Sequence, residues 1–344
     1  MFVLNKVLKQ TKKQLIMNYY RFVSIVMIIT VIAFNSCTSR DSKRNDNNSS
    51  NKSEISIKTE SLDPVFPLPD IPSMITSKDE SMVFLSKHYW DLFPFADTTL
   101  ISQPDITEQG FVDYIQLLND INYSHAVNSI DIMLNKAEVN ADMYNYIVSL
   151  FEKYFYHPNS PFRDDELYIP VLSNVMSSDL LRDGDKEIYA FQQSMILKNR
   201  VNTVSTDFVY TLANGESKNM HELKSDYLIL FFSNPNCSSC ATVTQEMNNS
   251  STLKNIFSLN SSNKNMLTVL SVYPDNNIEE WRRALPNMPQ KNWINSYDDD
   301  AQVTNKRLYD IKAIPTLYLL DRDKKVILKD TSLEEIENYF MKVR

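Results

Sequence analysis

Glycine is scarce: the 344-residue chain has three, Gly110, Gly184 and Gly215. Phosphate-cradling loops and dinucleotide fingerprints need several glycines within a few positions, where backbone must approach the ligand closely. ATP and NAD chemistry are therefore excluded, and no cofactor is expected. A dense basic face is missing as well. With a net charge of −8 the chain shows no footprint for a nucleic-acid partner, which needs clustered Lys and Arg to displace counterions from phosphates. The four histidines, His88, His125, His157 and His221, stand apart without ligand spacing, and three cysteines are too few for a zinc set with them, so no metal is expected. Each histidine reads instead as a surface or hydrogen-bonded polar residue.

What is present is apolar material enough for two cores. The composition is 43% hydrophobic and 11% aromatic, and the length predicts two domains of roughly 140 residues each behind a leader. The leader has its parts in order: Lys6, Lys9, Lys12, Lys13 and Arg21, then the apolar run 22–34, then Asn35-Ser36-Cys37. That run is too short to cross a hydrocarbon layer of ~30 Å. Phe34-Asn35-Ser36-Cys37 resembles a bacterial lipobox, with a small residue before the cysteine and Phe34 where an aliphatic residue is usual. The resemblance implies a leader over 1–36, lipid on Cys37, and a protein held in the cell envelope by its N-terminal lipid, facing the periplasm. A simple secretory leader and an uncleaved anchor are the alternatives. Residues 37–64 are Ser-, Asn- and Lys-rich and bury too little to offset their ordering entropy, which predicts a flexible tether.

Residues 65–200 carry helical periodicity. Met143, Tyr146, Ile147, Leu150, Phe151 and Tyr154 fall on one stripe, and similar stripes occur at 82–92, 111–118, 127–134 and 188–197. This predicts an all-α domain of five or six helices whose aromatic stripes are core rather than a peptide groove. His88-Tyr89-Trp90-Asp91-Leu92-Phe93-Pro94-Phe95 resembles a signature of an uncharacterised helical domain found upstream of thioredoxin-like domains in Gram-negative envelope lipoproteins. That resemblance implies architecture and no activity.

From 201 to 344 the pattern changes. A hairpin is expected around Asn214-Gly215, since that pair supplies the positive-φ positions of a tight turn. Buried strands at 227–233 and 266–273, and further strands at 316–320 and 325–329, occur among helices from 237 and at 278–285, 301–308 and 333–343, an α/β layer fold with a central sheet. Where the first buried strand hands over to a helix stand Cys237-Ser238-Ser239-Cys240. Unpaired amides and the positive dipole end at a helix N-terminus stabilise a thiolate, which makes Cys237 the expected nucleophile and Cys240, one turn further in, the resolving thiol. Half of a zinc site and an inert structural disulfide are the competing readings of such a pair. In Ala313-Ile314-Pro315-Thr316, a proline stands at the mouth of a later strand, a position it can hold without removing a ladder hydrogen bond.

Together these residues resemble the thioredoxin fold and, within it, the membrane-tethered TlpA/ResA-like group. The resemblance implies a cis Ile314–Pro315 bond facing the cysteines, pairing of the Ile314 backbone with a substrate segment, and substrate contacts from Asn236, Ser238 and Ser239. It implies an envelope reductase or isomerase acting on protein disulfides or oxidised thiols, fed by a membrane electron donor. The alternative is a lipid-anchored adaptor on a redox-inert scaffold. Two departures bear on turnover: Phe231 and Val243 stand where relatives carry a proton-accepting acid. The block Leu270–Asp275 followed by Trp281 is expected only to pack. Asn234, where peroxiredoxins carry Thr or Ser, argues against peroxidase activity.

Overall fold

A computed structural model describes residues 66–343 apart from Asn276. The expected leader over 1–36, the lipidation site Cys37 and the tether over 37–64 lie outside the described residues. Among those described, no helix is long and apolar enough to cross a membrane.

The first part is helical, as expected: α1 (Lys78–His88), α2 (Thr107–Asn119), α3 (Tyr123–Ala137), α4 (Ala141–Phe151), α5 (Asp165–Ser177) and α6 (Asp183–Ile196). Ser77, Asn122, Asn140 and Asp164 start four of them by accepting first-turn amides on their side chains. The stripe on α4 is core, with Met143, Ile147, Leu150 and Phe151 buried, and it passes into one π-helical turn at Glu152–Tyr156. Helix α5 buries Leu167, Tyr168, Val171, Leu172 and Val175 along one face and carries Pro170 in its interior, which leaves the carbonyl of Glu166 without its amide. The Tyr123 hydroxyl donates to that carbonyl instead, at 3.4 Å.

The His88–Phe95 segment supplies an aromatic nest. Trp90, Tyr89 and Phe93 surround Phe66, whose ring centroid lies 4.9 Å from that of Trp90 and 5.0 Å from that of Tyr89. Gly110 forms the floor beneath it: a Cβ there would sit 2.2 Å from Phe66 Cδ2. Gly110→Ala is therefore expected to unseat Phe66 and lower the unfolding free energy by about 1–3 kcal/mol. Urea denaturation checks this, and in a Phe66→Ala background most of the cost should vanish, because the two residues act through one contact.

The second part is a seven-stranded sheet in the order β2-β1-β5-β4-β3-β6-β7, formed by β1 (Val209–Thr211), β2 (Ser217–Asn219), β3 (Tyr227–Phe232), β4 (Leu267–Tyr273), β5 (Trp293–Tyr297), β6 (Thr316–Asp321) and β7 (Val326–Leu328). Strands β3, β4 and β5 run parallel, β6 is antiparallel to β3, and β7 is antiparallel to β6. Its helices are α7 (Ser238–Asn249), α8 (Ser251–Phe257), α9 (Ile278–Ala284), α10 (Gln302–Asn305) and α11 (Leu333–Lys342). Strand β4 is buried throughout, the condition a continuous apolar run implies. Alternation divides β3 between two cores: Leu228, Leu230 and Phe232 join Tyr309 and Tyr318 on one face, while Ile229 and Phe231 join Cys240, Met247 and Ile336 on the other. The linker runs along the outer edge of β7. Asn202 N–H donates to Val326 O, Val326 N–H to Thr203 O, and Ser205 N–H to Lys324 O, at 2.8 to 2.9 Å.

Three elements differ from expectation. Strand β5 and helix α8 are additions to the expected set. The helix expected over 301–308 is only Gln302–Asn305, because Ala301 and Arg307 take left-handed conformations, φ 48° and 50°, that stop a right-handed helix at both ends.

Candidate active site

Register brings the two motifs together. Phe232, at the end of β3, pairs with Thr316, at the start of β6, so residues leaving β3 meet residues entering β6. The Ile314–Pro315 peptide bond is cis. Cys237 caps α7 with its sulfur, which accepts the Cys240 N–H at 3.2 Å, and its thiol donates to the Ile314 carbonyl at 3.6 Å. Cys237 is half-buried; Cys240 is 3% exposed, facing the core beneath α7. Both are free thiols. A half-buried thiol at a helix N-terminus backed by a buried one can attack a disulfide and then be resolved.

The other residues singled out from the sequence surround this pair. Ile314 and Pro315 are half-buried beside it, while Asn236, Ser238 and Ser239 lie around its rim, all three open to solvent. Sequence reasoning passes over the residue that holds the rim together. Asn234 accepts Cys237 N–H on its carbonyl at 3.1 Å and Asn236 N–H on Oδ1 at 2.8 Å, and donates from Nδ2 to Asp275 Oδ2 at 2.6 Å. Asp275 thus braces the cysteine loop, which corrects the expectation that its block only packs. Trp281 does only pack, 1% exposed with its ring 5.0 Å from that of Tyr297.

The two expected departures are structural facts. Phe231 is buried and meets the ring of Trp293 at 6.1 Å, so the place of an acid beneath the cysteines is filled by an aromatic pair. Val243 packs on the same core, and Glu246 is exposed on α7. Burial, with the hydrogen bond to Cys237 second, pushes the Cys240 thiol up to about 12. Its proton is held tightly.

Comparison with known proteins agrees with this architecture. Residues 36–199 match a domain of unknown function (DUF5106), and residues 225–326 match a thioredoxin-like family. No curated protein matches the chain. Among solved structures, a thioredoxin-like protein from Bacteroides caccae is 39% identical, covering 81% of this chain and 99% of that one, with a TM-score of 0.77. The C-terminal domain of an uncharacterized protein from Bacteroides fragilis is 36% identical, covering 42% and 98%, with a TM-score of 0.39. The thioredoxin domain of a thiol-disulfide oxidoreductase from Bacteroides vulgatus is 21% identical, covering 42% and 97%, with a TM-score of 0.35. The likeness to the Bacteroides caccae protein takes in both the helices and the sheet, and with it the chain belongs to the thioredoxin-like family, its thioredoxin-like domain following an N-terminal helical domain of the DUF5106 kind.

Proposed function

We propose that the chain is a TlpA/ResA-like thiol–disulfide oxidoreductase of the cell envelope, anchored by lipid on Cys37, facing the periplasm and reducing or isomerising protein disulfides. The observation that supports this most is the asymmetry of the pair: Cys237 is half-buried at the N-terminus of α7 against Ile314, and Cys240 is sequestered behind it. The Cys237 thiolate attacks one sulfur of a substrate disulfide, forming a mixed disulfide and expelling the other sulfur as a thiolate. Cys240 gives up its proton and attacks the Cys237 sulfur, releasing the second substrate thiolate and leaving a Cys237–Cys240 disulfide. Two electrons pass to the substrate, and a membrane-borne dithiol donor restores the pair.

Cys240→Ala tests the proposal. Challenged with insulin, whose disulfides are accessible, the full-length variant should accumulate a mixed disulfide through Cys237. The second reading, a redox-inert adaptor, draws on the apolar residues at Phe231 and Val243, and it expects no trapping. Direction is read from a dithiothreitol or glutathione titration of the parent: a potential near about −270 mV fits the reducing role, and one near about −120 mV overturns it.

A further inference from the structure

The loop that carries Ile314 is not braced by its own domain alone. Lys312, two positions earlier, reaches the helical region, where its Nζ lies 2.8 Å from Asp165 Oδ1 and 4.3 Å over the ring of Tyr156. It also lies 3.3 Å from Asp310 Oδ2 on its own loop. The Lys312 side chain is 5% exposed and that of Asp165 18%, so salt and water screen the pair little. The second oxygen of Asp165 takes Lys329 Nζ at 2.9 Å, and Lys329 donates to the carbonyls of Ile196 and Lys198 at the C-terminal end of α6. A cation there meets the negative end of the helix dipole. Arg163 closes the ring by donating to the Asp330 carbonyl at 2.6 Å. Burial opposes the Asp165 carboxylate, yet Lys312 and Lys329 outweigh it and hold its carboxyl below the ordinary range; burial raises the carboxyls of Asp310 and Asp330. The anion on which both lysines converge therefore belongs to the helical region.

The same loop presents the Ile314 carbonyl to the Cys237 thiol. We propose that Asp165 is a positioning residue for the exchange site: through Lys312 it fixes the Ile314 carbonyl over the Cys237 sulfur, which makes the helical region a working part of the site. The inference rests on the thiol–disulfide reading above. The Ile314 carbonyl takes the Cys237 S–H and the Cys240 amide donates to the same sulfur, and hydrogen bonds of these two kinds pull a thiol's ionisation in opposite directions. Loosening the loop removes the first of them.

The test is the pH profile of Cys237 alkylation by iodoacetamide in the full-length protein. Asp165→Asn and Lys312→Met should each lower the midpoint by about half a pH unit or more, about threefold in thiolate at fixed pH. The double variant should move it no further than either single, because both act through one loop. Glu166→Gln, which removes the neighbouring pair with Arg200, should leave the midpoint in place. A cooperative thermal transition identifies the folded variants. Folded variants with the parent's midpoint overturn the proposal. So does failure of both Asp165→Asn and Lys312→Met to fold, which makes the pair a stability element only. A parent that neither reduces insulin nor, as Cys240→Ala, traps it removes the thiol–disulfide reading, while alkylation still reports the loop, so the two failures are separable.

Discussion

Cys237→Ser is expected to abolish disulfide exchange while leaving stability within about 0.5 kcal/mol of the parent. The two effects separate because the sulfur has two jobs. As a nucleophile it has no substitute: a hydroxyl without an activating base is inert toward disulfides at neutral pH, and Cys240, at 3% exposure, is out of a protein substrate's reach. The rate should fall by about a thousandfold or more, ~4 kcal/mol in barrier. As the cap of α7 it is replaceable, since a serine hydroxyl can accept the Cys240 amide as the sulfur does. Cys237→Ala removes both jobs and should add a stability cost of about 1 kcal/mol. Insulin reduction and thermal unfolding on the two variants check this. Residual turnover in Cys237→Ser above a few per cent would mean that the chemistry lies elsewhere.

The second large effect is on pH. A thiol ionises as pH rises, and burial has pushed Cys240 up to about 12, so below that value its reactive fraction grows about tenfold per unit. Burial, the first cause of that shift, stays when Cys237 is tied up in a mixed disulfide, so release of a preformed one should speed up by well over about tenfold from pH 7 to pH 9 and continue to climb. An ordinary cysteine, ionising near ~8.5, would level off in that range. The slope is steep because Phe231 and Val243 offer no carboxylate to take the proton as the sulfur attacks. Val243→Glu should flatten the profile and raise the rate at pH 7. Stopped-flow measurement of resolution decides it, and a plateau by pH 8.5 in the parent would overturn the argument.

The parts of the site that follow from local rules can be read in the sequence. Cys237 and Cys240 lie where an apolar run meets a helix, and Pro315 lies where only a strand's first residue can be proline; both statements need nothing beyond a few neighbouring residues. Strand β5 escapes such rules because Trp293-Ile294-Asn295-Ser296-Tyr297 shows neither a continuous apolar run nor clean alternation. Its polar side chains bond outside the strand: Asn295 Nδ2 donates to Pro289 O at 2.7 Å, and Ser296 Oγ to Ser271 O at 2.9 Å. The brace from Asn234 to Asp275 spans 41 positions, and the pair between Asp165 and Lys312 spans 147. Such pairs are set by the fold and leave no periodic trace. The role of Asn234 is hidden for a further reason: along the chain it reads as a position where a peroxidase would need Thr or Ser, and its three hydrogen bonds exist only once the loop has closed.

The linker along β7 bears on how the protein behaves among copies of itself. A terminal strand with open amides and carbonyls is a template for another chain, and such edges are where sheet proteins stick together. Here residues 202 to 205 occupy the outer rim of β7, so the connection between the helices and the sheet doubles as a guard against strand exchange. A thioredoxin-like fragment cut after Ser205 would carry that rim bare. It would keep its cysteines but gain a sticky flank that the intact chain does not offer.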